Sequence, residues 1–167
     1  MLRPGSLSDI PAIADVLIRS WQEHYRHFLP DSFLDNLNLD HQIRRHSRIM
    51  KSGTTYWVAE NEQQQLCGFA SYGPDREAKL PSSMELYTIY VDASVQNKGI
   101  GQGLLDRVIS DIQHEHNGLA VLVMEVNPYR RFYEKNGFVS IGREKMELAG
   151  NHLTNIIYLK EWTRKNI

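Results

Sequence analysis

The chain has 167 residues, a length that fits one domain, since two independent cores would each be near the lower limit of self-stability. Hydrophobic residues make up 41% and charged residues 23%, values of a globular protein rather than a disordered or fibrous one. Nineteen basic residues against twenty acidic ones leave a formal net charge of −1, without the basic excess of a duplex nucleic-acid binder. No apolar run approaches the roughly 20 residues needed to span a bilayer. The first six residues carry no hydrophobic signal core, and the lone Cys67 cannot form an intrachain disulfide. The expectation is one cytoplasmic domain over residues 1–167, with neither nucleic acid nor membrane as partner.

Leu2-Arg3-Pro4 reads as a short edge strand. Ser8-Asp9-Ile10-Pro11 is a helix-start signal, and Ile13, Val16, Leu17 and Trp21 then recur at helical spacing. A second helix is expected over Asp31 to Met50, ended by Gly53. Thr54 to Ala59 and Leu66 to Tyr72 form a hairpin across the polar Gln63-Gln64-Gln65 turn. Pro74 to Ser83 is a polar loop, and Glu85 to Val91 alternates as a strand. Gly101 to His114 is an amphipathic helix. Ala120 to Val126 is almost continuously apolar, as in a strand buried on both faces. Asn127-Pro128 starts a short helix that Asn136-Gly137 stops. Two strands follow, near Phe138 to Met146 and Leu153 to Leu159. No repeat or long linker interrupts this mixed α/β order.

The sharpest signal is Gln96-Asn97-Lys98-Gly99-Ile100-Gly101-Gln102-Gly103, between a strand and an amphipathic helix. Glycines let backbone N–H groups approach a ligand closely, and the following helix adds its free N-terminal donors and the positive end of its dipole. This is a pyrophosphate cradle. A nucleotide P-loop would place its lysine after the glycines with a hydroxyl residue behind it; here Lys98 precedes them. A dinucleotide fingerprint would need glycine where Leu104 stands, and would follow the first strand of its fold.

This segment resembles the Gln/Arg-x-x-Gly-x-Gly/Ala signature of the GNAT superfamily of acyl-CoA-dependent N-acyltransferases, carried here by Gln96, Gly99 and Gly101 after a strand ending Ile89-Tyr90-Val91-Asp92. A second family segment matches Asn127-Pro128-Tyr129-Arg130-Arg131-Phe132-Tyr133-Glu134-Lys135-Asn136-Gly137-Phe138. Ser20-Trp21 and Tyr25 are similar to a small bacterial subgroup. The resemblance implies a mixed, mostly antiparallel sheet of about six to seven strands with about four helices, splayed between the fourth and fifth strands. It implies acetyl-CoA as co-substrate and an amine as acceptor, joined by direct attack in a ternary complex. Backbone groups of Ile89 and Val91 would pair with the pantetheine. The amides from Asn97 through Lys98, Gly99, Ile100 and Gly101 to Gln102 would hold the pyrophosphate, with Gln96 at the start of the motif. Lys98 either offsets phosphate charge or is simply solvated.

Acetyl transfer to an amine needs a neutral nucleophile, donors for the thioester oxygen and a proton for the leaving thiolate. Glu85 is the first candidate for the base. Period-two alternation puts Glu85, Tyr87, Ile89 and Val91 on one face, and some family members carry a glutamate at this offset. The alternative is a solvated glutamate at a strand start. Tyr133, where the family places a tyrosine near the CoA sulfur, is the candidate acid; the alternative is core packing. Asn127 either reaches the pantetheine or caps the next helix. Trp21, Tyr25 and Tyr87 are candidates for the acceptor wall, although an aromatic stripe in the core accounts for Trp21 as well. Neither His24 with His27 nor His114 with His116 has a third ligand nearby, so no metal is expected. A CoA-binding regulatory module without catalysis is the alternative function. The protein is expected to be a monomer or a homodimer.

Overall fold

The structure, a computed structural model, describes residues 1–76 and 84–163. A single seven-stranded sheet runs in the order β1-β2-β3-β4-β5-β7-β6. Its strands are β1 (Leu2–Pro4), β2 (Thr55–Glu60), β3 (Leu66–Pro74), β4 (Met84–Val91), β5 (Gly118–Met124), β6 (Val139–Leu148) and β7 (Asn151–Glu161). The helices are α1 (Ile10–His24), α2 (Asp31–Asp35), α3 (Leu39–Lys51), α4 (Ile100–Ile112) and α5 (Arg130–Lys135). Every neighbouring pair is antiparallel except β4 and β5.

α1 starts where the sequence signals it, after a 3-10 turn at Leu7–Asp9. Asp9 accepts the Ser6 N–H at 2.8 Å and pairs with the Arg3 guanidinium, which also reaches Glu60 at 2.6 Å. One arginine therefore ties β1 to the start of α1 and the end of β2. Ile13, Val16 and Leu17 then pack against Tyr56, Val58 and Phe69 on one face of the sheet. The helix expected over Asp31 to Met50 is two helices. Asn38 breaks it: its extended backbone leaves the helix, and its side chain accepts the His41 N–H at 2.8 Å to cap α3. On the other face, Leu104, Leu105, Val108 and Ile112 of α4 cover Leu86, Leu119, Val121 and Val123. Truncating a fully buried leucine such as Leu104 to alanine costs about 2–5 kcal/mol.

Two features of β4 shape what lies at its end. First, a bulge interrupts its pairing with β3: Ser71 opposes Thr88, but Tyr72 opposes Leu86, so Tyr87 is the extra residue. Alternation slips by one there. Leu86 shares a face with Ile89 and Val91, towards α4, whereas Glu85 falls on the face of Thr88 and Tyr90, towards α1. The uninterrupted alternation expected from Glu85 to Val91 does not hold. Second, among the described residues β4 pairs with β5 only at Met84–Leu119, Glu85–Ala120 and Leu86–Val121. Beyond Leu86 the two strands separate, while β5 stays paired with β7 along its full length. Of the loop expected over Pro74 to Ser83, Pro74 closes β3, and residues 77–83 lie outside the described residues.

Candidate active site

The loop after β4 is built for donors. Asn97 has φ +60° and Gly99 φ +79°, two left-handed turns separated by Lys98. Such alternation turns successive N–H groups into a concave nest. α4 follows at once, and its first internal hydrogen bond runs from Gly103 N to Gly99 O at 2.9 Å. The N–H groups of Ile100, Gly101 and Gln102 thus precede that bond and face the helix mouth with the positive end of its dipole. A Cβ on Gly101 would lie 3.7 Å from the Phe132 ring and 3.8 Å from Val91, on the wall of the cleft.

The separated strands enclose a cleft of about 500 Å³, running from this nest to the rings of Tyr25, Tyr90 and Tyr133. Asp92 donates its N–H to Cys67 O of β3. Strand alternation then directs the main-chain groups of Tyr90 to β3 and those of Ile89 and Val91 to the opened edge. Val91 O confirms that direction by accepting Gln96 Nε2 at 3.1 Å. The cleft therefore offers a strand edge without a partner strand at its side, where Val91 O is held by Gln96, and a ring of N–H groups at its mouth, the features that an extended chain ending in a diphosphate requires.

Residues 52–140 match the family model described as an acetyltransferase (GNAT) domain. The chain belongs to the GNAT acetyltransferase family. It is an acetyl-CoA-dependent acetyltransferase. An uncharacterised N-acetyltransferase of Bacillus subtilis (strain 168), YuaI, is 32% identical over 157 residues, covering 93% of this chain and 89% of that protein. The fold is shared with a ribosomal-protein-alanine N-acetyltransferase from Brucella melitensis (TM-score 0.76, 23% identity, 97% of this chain and 99% of that one). It is shared also with YncA of Salmonella typhimurium, a structure containing acetyl-CoA (TM-score 0.73, 18% identity, 100% and 96%).

Within this GNAT cleft, Ile89, Val91, Gln96, Asn97, Gly99, Ile100, Gly101, Gln102, Asn127 and Tyr133 all contribute to the lining, as does Tyr25. Lys98 is exposed and outside it. Asn127 also accepts the Tyr129 N–H at 2.8 Å, so its side chain fixes the turn into α5. Trp21 lies outside the lining and donates Nε1–H to Tyr90 Oη at 2.8 Å, bracing a cleft tyrosine from behind. Tyr87, displaced by the bulge, donates to Pro74 O and lies under the Arg76 guanidinium, also outside the lining.

Glu85 is 2% exposed. Arg76 engages both of its oxygens, Nη2 at 2.6 Å from Oε1 and the backbone N–H at 3.1 Å from Oε2. It too lies outside the cleft lining, on the α1 face of β4. Tyr133 is buried between Phe132, Phe138 and Tyr158. Burial pushes its phenol above the ordinary tyrosine value, with the neighbouring Tyr90 adding to the shift, so it stays protonated at neutral pH. The cleft residues that the sequence does not single out as site candidates include His24 and Tyr129, whose side chains meet 3.1 Å apart. Their type gave a signal, a histidine beside Tyr25 at the end of a helix, but only the fold brings it to Tyr129. Among the described residues no group of three or more His, Cys, Asp or Glu is placed to hold a metal ion, and no helix is long and apolar enough to cross a membrane.

Proposed function

We propose that the protein acts as a single domain over residues 1–167 in the cytoplasm, as a monomer or homodimer, and moves an acetyl group from acetyl-CoA to the primary amine of a small molecule or peptide by direct attack in a ternary complex. The observation that carries this reading is the opened β4–β5 pair with a nest of N–H groups at its mouth. The nest and the α4 N-terminus hold the diphosphate through the amides of Asn97 to Gln102. Ile89 and Val91 offer the edge along which the pantetheine lies as an added strand. Lys98, exposed at the loop, contributes at most a screened charge.

The chemistry follows from what these groups do. A main-chain N–H of β4 facing the cleft polarises the thioester oxygen as negative charge develops there. Tyr133, kept protonated, hands a proton to the departing sulfur. The acceptor amine enters on the α1 side past Tyr25, with Trp21 setting Tyr90 in place behind it. Tyr87 lies outside the cleft lining and anchors the end of β3 through Pro74 O. Glu85 receives less support as the base, because its carboxylate is committed to Arg76 away from the cleft lining.

The test is release of free CoA thiol from acetyl-CoA across a library of primary amines. Amine-dependent release with formation of the acetylated amine is expected. Acetyl-CoA binding with no release across the library would favour a non-catalytic CoA-binding module instead.

A further inference from the structure

We propose that His24, the last residue of α1, is the general base that takes the proton from the incoming amine; this rests on the transferase reading above. His24 lines the cleft beside Tyr25, on the side of α1. Its ring packs edge-on against Tyr129, with centroids 4.7 Å apart and planes at 69°. Its Nε2 lies 3.1 Å from Tyr129 Oη. Tyr129 Oη donates onward to Gln96 Oε1 at 3.0 Å, and Gln96 Nε2 donates to Val91 O at 3.1 Å. The hydrogen-bond chain therefore runs from α1, across the turn after β5, to the end of β4, and ends on the strand that flanks the thioester.

Two groups face His24 Nε2, Tyr129 Oη at 3.1 Å and the Gln96 amide nitrogen at 3.5 Å. With the Tyr129 hydrogen given to Gln96 Oε1, the shorter contact is met by Nε2–H donating to Tyr129 Oη; in this arrangement the longer approach of Gln96 Nε2 makes no hydrogen bond and Nδ1 carries the basic lone pair. The ring is held by contacts to two other elements, as a positioned base requires.

An alkylamine has a pKa of about 10 and arrives as an ammonium ion. Among the described residues that line the cleft there is no aspartate or glutamate. The charged groups near His24 are Glu23 on its own helix and, along the cleft from α5, Arg131 and Lys135. Tyr129 and Gln96, which touch the ring, are uncharged. Burial lowers the His24 pKa from its ordinary value, with Glu23 opposing, so the imidazole is neutral at pH 7.

The step balances as follows. The ammonium gives one proton to His24 Nδ1. The freed nitrogen pair attacks the thioester carbon, and the C–N bond forms as the carbonyl pair moves to oxygen. Collapse breaks the C–S bond, and the thiolate takes the Tyr133 proton. The Tyr133 phenolate recovers a proton from the acylated nitrogen. His24 releases its proton to solvent, so one ammonium and one thioester give one amide, one thiol and one proton.

The experiment compares the full-length protein with H24A, H24N and Y129F. It uses two probe nucleophiles, benzylamine, which is protonated at neutral pH, and hydroxylamine, which is largely neutral. Acetyl-CoA binding is measured by calorimetry, and thiol release is followed from pH 5.5 to 9. For both His24 variants we expect acetyl-CoA affinity within about threefold of wild type. We expect kcat with benzylamine to fall about 100-fold or more, with loss of the acidic limb of the pH profile. With hydroxylamine the fall should be less than a tenth as large. Y129F should shift the acidic limb with a smaller loss. Equal losses with both nucleophiles, an unaltered acidic limb, or rescue of benzylamine turnover by H24N would each overturn the base assignment. If wild type binds acetyl-CoA but releases no thiol with these nucleophiles or with any amine of the library, the transferase reading itself fails and this proposal with it.

Discussion

Arg76 grips Glu85 from two directions, with its guanidinium on Oε1 at 2.6 Å and its own backbone N–H on Oε2 at 3.1 Å. The carboxylate is buried and the guanidinium half exposed, so the pair braces the start of β4 against the end of β3. Glu85→Gln keeps the shape but weakens the contact to a neutral one. The expected loss is about 1 kcal/mol of stability, a kcat reduction of less than tenfold and an unchanged pH profile. Chemical denaturation and pH–rate curves check this. A loss above 100-fold with a displaced acidic limb would return the base role to Glu85.

The nest predicts a separation of binding from folding. A side chain on Gly101 has room against the protein, its Cβ making only ordinary contacts with Phe132 and Val91, but it projects into the cleft. Gly101→Val should therefore reduce acetyl-CoA affinity at least tenfold in calorimetry, with a melting temperature within a few degrees of wild type. Gly99 differs. Its φ of +79° suits glycine, so Gly99→Ala should destabilise by about 1–2 kcal/mol and weaken binding by distorting the loop.

Tyr133→Phe removes a hydroxyl and no packing. Acetyl-CoA affinity should change less than threefold while kcat falls about 10- to 100-fold, in the range of a lost general acid. Because burial raises its pKa above the ordinary value, the alkaline limb of the wild-type profile below pH 10 should not belong to Tyr133, and should persist in the variant.

His46 supplies a stability test at a residue outside the cleft lining. It is 2% exposed, its Nδ1 lies 2.8 Å from Tyr56 Oη, and burial, aided by Arg45, holds its pKa down at about 4. The unfolded chain, with an ordinary value of about 6.5, binds a proton that the folded chain refuses between those limits. Stability from this group is thus fully present above pH 6.5 and is lost as pH falls towards 4, by roughly 3 kcal/mol. His46→Leu should flatten the slope of unfolding free energy against pH in that window. An unchanged slope would assign the acid sensitivity elsewhere.

How much of this was legible from residues alone depends on how local each signal is. The glycine loop announces itself because nest, helix start and ligand all sit within eight consecutive positions, from Gln96 to Gly103. The strand expected over Ala120 to Val126 is similarly plain, since burial leaves a nearly continuous apolar run, although β5 spans Gly118–Met124 and ends before Glu125. The alternation of β4 misleads because a bulge has no composition of its own: Tyr87 is as good a strand residue as its neighbours, and only pairing with β3 shows that it is the extra one. The break at Asn38 was present as a capping residue but was masked by apolar spacing continuing on both sides of it. Trp21 and Tyr87 have suitable chemistry, but both lie outside the cleft lining, a placement that their local sequence does not signal. The contact of His24 with Tyr129, 105 residues away, has no local trace at all.

Among the described residues three pairs join β4 to β5, so the sheet consists of two leaves, β1 to β4 and β5 to β7, sharing one short margin. A thioester tail lying along Ile89 and Val91 would become the missing rung between them, and the co-substrate would then rivet the protein together. Amide hydrogens of Ile89 and Val91 should exchange quickly without acetyl-CoA and slowly with it. At a hundredfold excess over Kd, saturation should raise the unfolding free energy by about 2.7 kcal/mol.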